Sequence, residues 1–186
     1  MISFYFILSC LYFFLPAYFC NMTPPLMKKA QLFKFLAQPV DLNKKFFDHL
    51  PILGFHKTFR GVIFGILVGM TVVFFQYFLY NFPFFKGISI LNYQKINILF
   101  FGLLISSSAI LGDLFFAFLK RRLKLKPGAP FLPFDQTNYV ISSAIILGPI
   151  YKIGISVWIT LFCLTFFLHI IFNRLGYHLK IHKAKW

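Results

Sequence analysis

Chemistry has few places to reside in this chain. Four carboxylates, Asp41, Asp48, Asp113 and Asp135, and no Glu stand against 19 Lys plus Arg. Asp113 lies in an apolar run, seven residues before Lys120-Arg121-Arg122. On a helix that spacing puts it on the face of Lys120, roughly 10 Å deeper. An Asp at such a depth in lipid costs about 2.5–3.5 kcal/mol on insertion scales unless it is paired or faces a polar cavity. It therefore either pairs with cations of the Arg121 kind or holds a metal. Asp135 follows the cationic run and precedes Gln136 and Asn138. Hard oxygens suit Mg2+, which keeps waters and substrate phosphates in its shell, and the neighbouring cations suit phosphate. The competing reading is a basic loop that only fixes topology, with Asp135 as a helix cap. Spacing alone leaves both open.

Other chemistries find no support. Cys10, Cys20 and Cys163 all fall in apolar runs without close pairs, which gives neither a disulfide framework nor a zinc site. Gly54-Phe-His-Lys57-Thr58 ends like a phosphate-binding loop but lacks the first glycine of that motif. His178 and His182 are four apart in a basic tail and read as solvated side chains.

The elements that carry these residues are membrane helices. Of 186 residues 59% are hydrophobic, 29 are Phe and only 12% are charged, about half the charge of a soluble domain. Such a chain must be solvated by lipid. Segments 2–20, 62–80, 96–119 and 153–172 each supply the roughly 20 apolar residues a spanning helix needs. A shorter apolar stretch, 137–151, is read as a span whose cytoplasmic end is polar and sunk into the protein. The expectation is an all-α polytopic membrane protein, five transmembrane helices with an extended cytoplasmic loop, forming a single domain over 1–186. Gly61, Gly65 and Gly69 recur every fourth residue and mark a close-packing helix face. Ser106-Ser107-Ser108 reads likewise as packing, or as hydroxyls toward a polar cavity.

Charge sets the orientation. Segments 21–61, 120–136 and the tail hold sixteen of the Lys and Arg residues, leaving Lys86, Lys95 and Lys152 on the other side. By the positive-inside rule the N-terminus is outside and the C-terminus cytoplasmic, in an inner, cytoplasmic membrane. The net charge of +15 then points to anionic lipid or a phosphate-rich substrate, and not to nucleic acid. Within 21–61, Thr23-Pro24 looks like a helix start. Asp41 is expected to cap a further short helix running to about His49, with its Phe and Lys residues at the interface. Trp186 reads as an interfacial anchor.

The stretch Gly112-Asp113-Leu-Phe-Phe-Ala-Phe-Leu-Lys120-Arg121-Arg122-Leu-Lys-Leu-Lys126-Pro127-Gly128-Ala129-Pro130, followed by Asp135-Gln136, resembles the CDP-archaeol synthase family, itself similar to phosphatidate cytidylyltransferases. Pro39-Val40-Asp41 with Asp48, Leu53-Gly54 with Lys57-Thr58-x-Arg60-Gly61, and His169, Asn173, Leu175-Gly176 and Trp186 agree with it in order. The resemblance implies a five-helix enzyme with its site at the cytoplasmic face, transferring CMP from CTP to a lipid phosphate, phosphatidate or an ether lipid, with Mg2+ and release of pyrophosphate. A lipid phosphate is already an anion, so positioning and charge neutralisation suffice and no strong base is required. Carried over, Asp113, Asp135 and Lys120 would be catalytic, and Asp113, Asp135 and Asn138 would hold metal. Arg121, Arg122, Lys57, Thr58, Arg60, Asp41 and Asp48 would bind substrate. The family reads Asp-Gln-x-Asp where this chain has Asp135-Gln136-Thr137-Asn138; Asn keeps an oxygen ligand and loses a charge. The alternative is a catalytically degenerate or non-enzymatic membrane protein that binds lipid phosphate, or a small transporter or assembly partner. Polar residues in the second and fifth spans are thin for a conduction path. Oligomeric state is left open, a homodimer included.

Overall fold

A computed structural model describes residues 3–125 and 129–178. Lys126, Lys180, His182, Lys183, Lys185 and Trp186 lie outside the described residues, as do the side chains of Asn173, Leu175, Gly176 and His178. The described chain is helical and contains no strand: α1 (Phe4–Ala30), a 3-10 turn (Lys34–Leu36), α2 (Phe59–Leu79), the short α3 (Pro83–Ile88), α4 (Ile98–Arg122), α5 (Phe134–Tyr151) and α6 (Ile155–His178). The five long helices match the five expected segments. Three of them, α1, α2 and α4, are long and apolar enough to cross a membrane, and Ile155–Ile171 is a shorter apolar helix. α5 instead opens with the polar run Asp135–Asn138, of which Gln136, Thr137 and Asn138 are buried.

α1 corrects the expected boundary at Thr23-Pro24. It runs straight through Pro24 and Pro25 for 27 residues, about 40 Å, so its last turns outreach a hydrocarbon core of roughly 30 Å. Thr23 does not cap a new helix; its hydroxyl donates back to the Phe19 carbonyl at 2.7 Å. Each proline removes one N–H and frees one carbonyl four residues earlier. At Pro16 the freed carbonyl is that of Tyr12, and it accepts from Nε2 of Gln76 on α2. Tyr93 Oη donates in turn to Gln76 Oε1 at 3.2 Å. A polar residue deep in an apolar span is thus satisfied by the defect of the neighbouring helix.

The glycine face of α2 does what its spacing implies. A Cβ on Gly65 would meet the Cys20 carbonyl at 3.2 Å, and one on Gly69 would meet Ser106 Oγ at 2.2 Å. α1 and α4 therefore approach the α2 backbone directly. The serines pack too: Ser106 Oγ donates to Gly102, and Ser108 and Ser143 share a 2.8 Å bond between α4 and α5. Cys10 and Cys20 are fully buried, whereas Cys163 is exposed on α6.

The connection from α1 to α2 also departs from expectation, because Asp41 caps no helix. Its Oδ1 accepts from Asn43 N–H at 3.0 Å, and its Oδ2 accepts from Leu53 and Gly54 N–H at 2.8 and 2.9 Å. These three bonds make a loop hub, since a buried carboxylate satisfied by distant amides draws the loop inward instead of starting a helix. Gly54 sits at φ +97, a conformation that side-chain-bearing residues avoid. The loop ends are then zipped by Val40 N–H to Lys57 O at 2.8 Å and Phe59 N–H to Gln38 O at 3.0 Å, which delivers residues 55–60 to the end of the bundle.

Candidate active site

The zipped loop closes a cavity of about 480 Å3 lined from α1, from residues 37 and 55–58, from the first turn of α2, and from α4. α1 contributes Asn21, Pro24, Pro25 and Lys28, a stripe at i, i+3, i+4 and i+7 on one face. That stripe exists only because the helix continues past its prolines. Lys57, Thr58 and Arg60 enter from the loop and α2, and Asp113 is the one carboxylate in the described lining. Thr58 also caps α2, its Oγ1 accepting from Gly61 N–H at 3.3 Å. Arg60 is buried and donates from Nη1 to the Leu32 carbonyl at 2.7 Å.

Electrostatically this is a cation-walled chamber. Lys57 Nζ bonds both oxygens of Asp113 at 2.6 Å, which answers what holds the intramembrane acid: its partner is Lys57 and not a cation of the Arg121 kind. His56, also in the lining, has its pKa lowered, first by burial and then by Lys28, Lys57 and Arg121, so its imidazole is neutral at pH 7. Arg121 does not line the chamber; its Nη1 donates to the Leu125 carbonyl at 2.8 Å.

Other expected site residues gather elsewhere. Lys120, its side chain only 12% exposed, donates to both oxygens of Asp135 at 2.9 and 2.8 Å and to the Ala129 carbonyl at 2.7 Å. Asp135 Oδ2 also accepts from Phe131 N–H at 2.9 Å. Lys120 and Asp135 therefore clamp the end of the α4–α5 connection. Asp113 and Asp135 bond different lysines, Lys57 and Lys120. Arg122 bonds Asp48 at 2.6 Å and the Pro51 carbonyl, and so fastens the loop to α4. Asp41 and Asp48, expected at substrate, are not in the described lining of the chamber: Asp41 accepts from loop amides, and Asp48 from Leu50 N–H and Arg122. Asn21, Lys28 and His56 were absent from the expected set, and a helix drawn through Pro24-Pro25 would have revealed the first two.

Whether these residues suit a hard divalent cation turns on oxygen supply. Among the described residues no three His, Cys, Asp or Glu side chains cluster. Asp113 does offer a carboxylate at the cavity. On α5, Asn138 Oδ1 and Gln136 Oε1 are buried with no hydrogen-bond partner, Asn138 being 5% exposed. Leaving such an oxygen unsatisfied costs about 1–3 kcal/mol. The helices touch at this level, since a Cβ on Gly112 would meet the Asn138 carbonyl at 2.5 Å. One carboxylate on α4, and orphaned amide oxygens on the α5 turn that packs against Gly112, are the kind of donors that suit Mg2+, whose remaining ligands are ordinarily waters and substrate phosphates.

Fold and cavity together define a helical integral membrane protein with a cation-lined polar chamber at one end of its bundle. The CarS-like family model, described as CDP-archaeol synthase, matches residues 3–186. Proteins named CDP-archaeol synthase from Methanococcus maripaludis and Pyrobaculum islandicum are 31% and 32% identical, each match covering 96% of this chain and 96% and 100% of the relative. The one from Methanocaldococcus jannaschii is 32% identical over 96% of both chains. A solved structure described as an intramembrane enzyme for archaeal membrane lipids biosynthesis shares the fold, with a TM-score of 0.72 over 90% of this chain and 94% of its own, at 23% identity. The chain belongs to the CDP-archaeol synthase family.

Proposed function

We propose that this protein transfers the cytidylyl group of CTP to the phosphate of an isoprenoid-ether lipid, at a chamber on the cytoplasmic face of the membrane. The observation that carries the reading is the chamber itself, with Lys28, Lys57 and Arg60 around a single carboxylate at the ends of membrane helices. Its volume lies within the usual range of small-molecule sites, roughly 300–1,000 Å3. In the reaction a lipid-phosphate oxygen bonds to the α-phosphorus of CTP, the bond from that phosphorus to the β-phosphate bridge breaks, and pyrophosphate leaves with the electron pair. The nucleophile needs no deprotonation, and the neutral His56 is not required as a base.

The residues contribute position and charge. Lys57 and Lys28 reach phosphate oxygens as flexible point charges, while the tethered Arg60 offers a fixed donor edge. A phosphate that draws Lys57 away releases the Asp113 carboxylate. Asp113 and Asn138 would hold Mg2+, which when bound supplies charge neutralisation across the phosphate chain. The relatives' names support an ether acceptor. Purified protein, labelled CTP and Mg2+ are to be incubated with an isoprenoid-ether glycerol phosphate or with phosphatidate. CDP-lipid should form with the ether acceptor, together with pyrophosphate. Formation with neither acceptor would end this reading, and formation only with phosphatidate would reassign the substrate.

A further inference from the structure

The loop between α1 and α2 leaves aromatic residues in the open that neither the core nor the chamber uses. Phe47 is 92% exposed and Phe35 is 74% exposed. Their placement is not arbitrary. Leu111, Phe115, Phe118 and Arg122 fall at i, i+4, i+7 and i+11 on α4, one continuous face. Leu111 and Phe115 on that face are exposed, and on a spanning helix exposed leucine and phenylalanine face lipid. The next two positions are covered by the loop: Phe46 packs edge-on against Phe118 at 5.3 Å, and Arg122 lies 4.9 Å from both rings while bonding Asp48. The loop is thus strapped to the lipid-facing side of α4 at its last turns, with Phe47 beside Phe46 at the tip. The 3-10 turn repeats the arrangement on α2, where Phe33 packs on Phe64 at 4.5 Å and Phe35 projects. Exposed Lys44 and Lys45 flank the first tip and Lys34 adjoins the second.

We propose that this connection is a bilayer-binding collar. Phe47 and Phe35 insert into the interfacial layer of the leaflet on the loop side, and Lys44, Lys45 and Lys34 hold the phosphates of anionic lipid headgroups there. The occupant is bilayer and not protein, because the tips prolong a helix face already turned to lipid and lysines beside them complement an anionic surface. Interfacial aromatics with adjacent lysines are the composition of a membrane-surface contact. The inference is independent of the proposed catalysis, although the same loop carries the wall residues Phe55–Thr58.

The test uses the full chain in nanodiscs, one copy per disc. Cys163→Ser removes the exposed thiol, and Cys10 and Cys20, each 0% exposed, stay unlabelled. Phe47→Cys, and separately Phe35→Cys, then receive a polarity-sensitive fluorophore, so a folding failure in one variant leaves the other. Quenching by lipids spin-labelled near the headgroup should exceed quenching by lipids labelled at the chain end. It should rise at least about twofold from neutral to anionic discs, and K44Q/K45Q should erase that rise at position 47. A label that stays in water in both disc types overturns the proposal. Quenching that ignores lipid charge overturns its headgroup half. Shielding that appears only with two copies per disc assigns the surface to a second chain, which also overturns it.

Discussion

At the residue scale, the Lys57–Asp113 pair is both lock and site. Its two 2.6 Å contacts satisfy an acid inside an apolar helix, and an incoming phosphate competes for the same ammonium. Lys57→Gln should raise the dissociation constant for CTP about tenfold, the equivalent of one charge-assisted bond of roughly 1.4 kcal/mol, read by isothermal titration. Asp113→Asn should tighten CTP binding without Mg2+, because phosphate no longer competes with a carboxylate for Lys57, and abolish the gain in affinity that Mg2+ brings; an unchanged Mg2+ response would remove Asp113 from the metal assignment. Asp41 makes a different prediction. Burial raises its pKa, but the N–H donors of Gly54, Leu53 and Asn43 lower it further, and the net shift is downward. An acid whose folded pKa lies below its unfolded value, about 3.9 for Asp, stabilises the fold above that value and loses the contribution as pH falls through the folded pKa. Limited proteolysis within residues 42–53 should therefore stay slow from neutral pH to about 4 and accelerate below it. In Asp41→Asn cleavage should be fast throughout and independent of pH.

At the element scale, helix contacts are set by missing side chains. A Cβ on Gly112 would lie 2.2 Å from Ser142 Oγ and 2.5 Å from the Asn138 carbonyl. The serine can rotate, but the backbone oxygen cannot yield without moving α5. Gly112→Ala should therefore cost about 1–3 kcal/mol as an overpacking change and lower turnover, because the shift separates Asp113 from the Asn138 helix. A Cβ on Gly87 of α3 would have nothing within 4 Å, so Gly87→Ala is the matched control, and both melting temperature and activity should stay at the parent level. The prolines of α1 act at this scale as well. Pro16 opens a carbonyl that Gln76 fills, and Pro24 and Pro25 stand in the cavity wall.

At the scale of the whole molecule, the charge asymmetry and the chamber lie at the same end of the bundle. The loop, the first turn of α2 and the last turns of α1 and α4 carry the cations, whereas Lys86, Lys95 and Lys152 lie at the far end. On the positive-inside rule the orientation we propose has the chamber facing the cytoplasm, the side on which CTP is made. In a Cys163→Ser background, Lys152→Cys should react with an impermeant maleimide in intact cells, and Lys29→Cys only after permeabilisation. The opposite pattern would invert the topology and with it the side from which nucleotide arrives.

Composition and hydropathy were enough to determine a helical membrane protein, the positions of five helices, the close-packing face of α2 and the block around Asp113 and Lys120, because lipid forbids unpaired backbone and charge and leaves one local solution. Two local signals mislead. Thr23-Pro24 has the form of a helix boundary, although a helix end outside the membrane tolerates proline. Asp41 has the form of a helix cap, yet two of its partners lie 12 and 13 residues away. Pairing was settled only by tertiary structure. Lys57 and Asp113 are 56 residues apart and Arg122 and Asp48 are 74 apart, and any of 19 cations could have neutralised each of four acids. Charge type is a property of the chain, but which charges meet depends on how the helices pack, and that depends on glycine contacts and a folded loop that no local window contains.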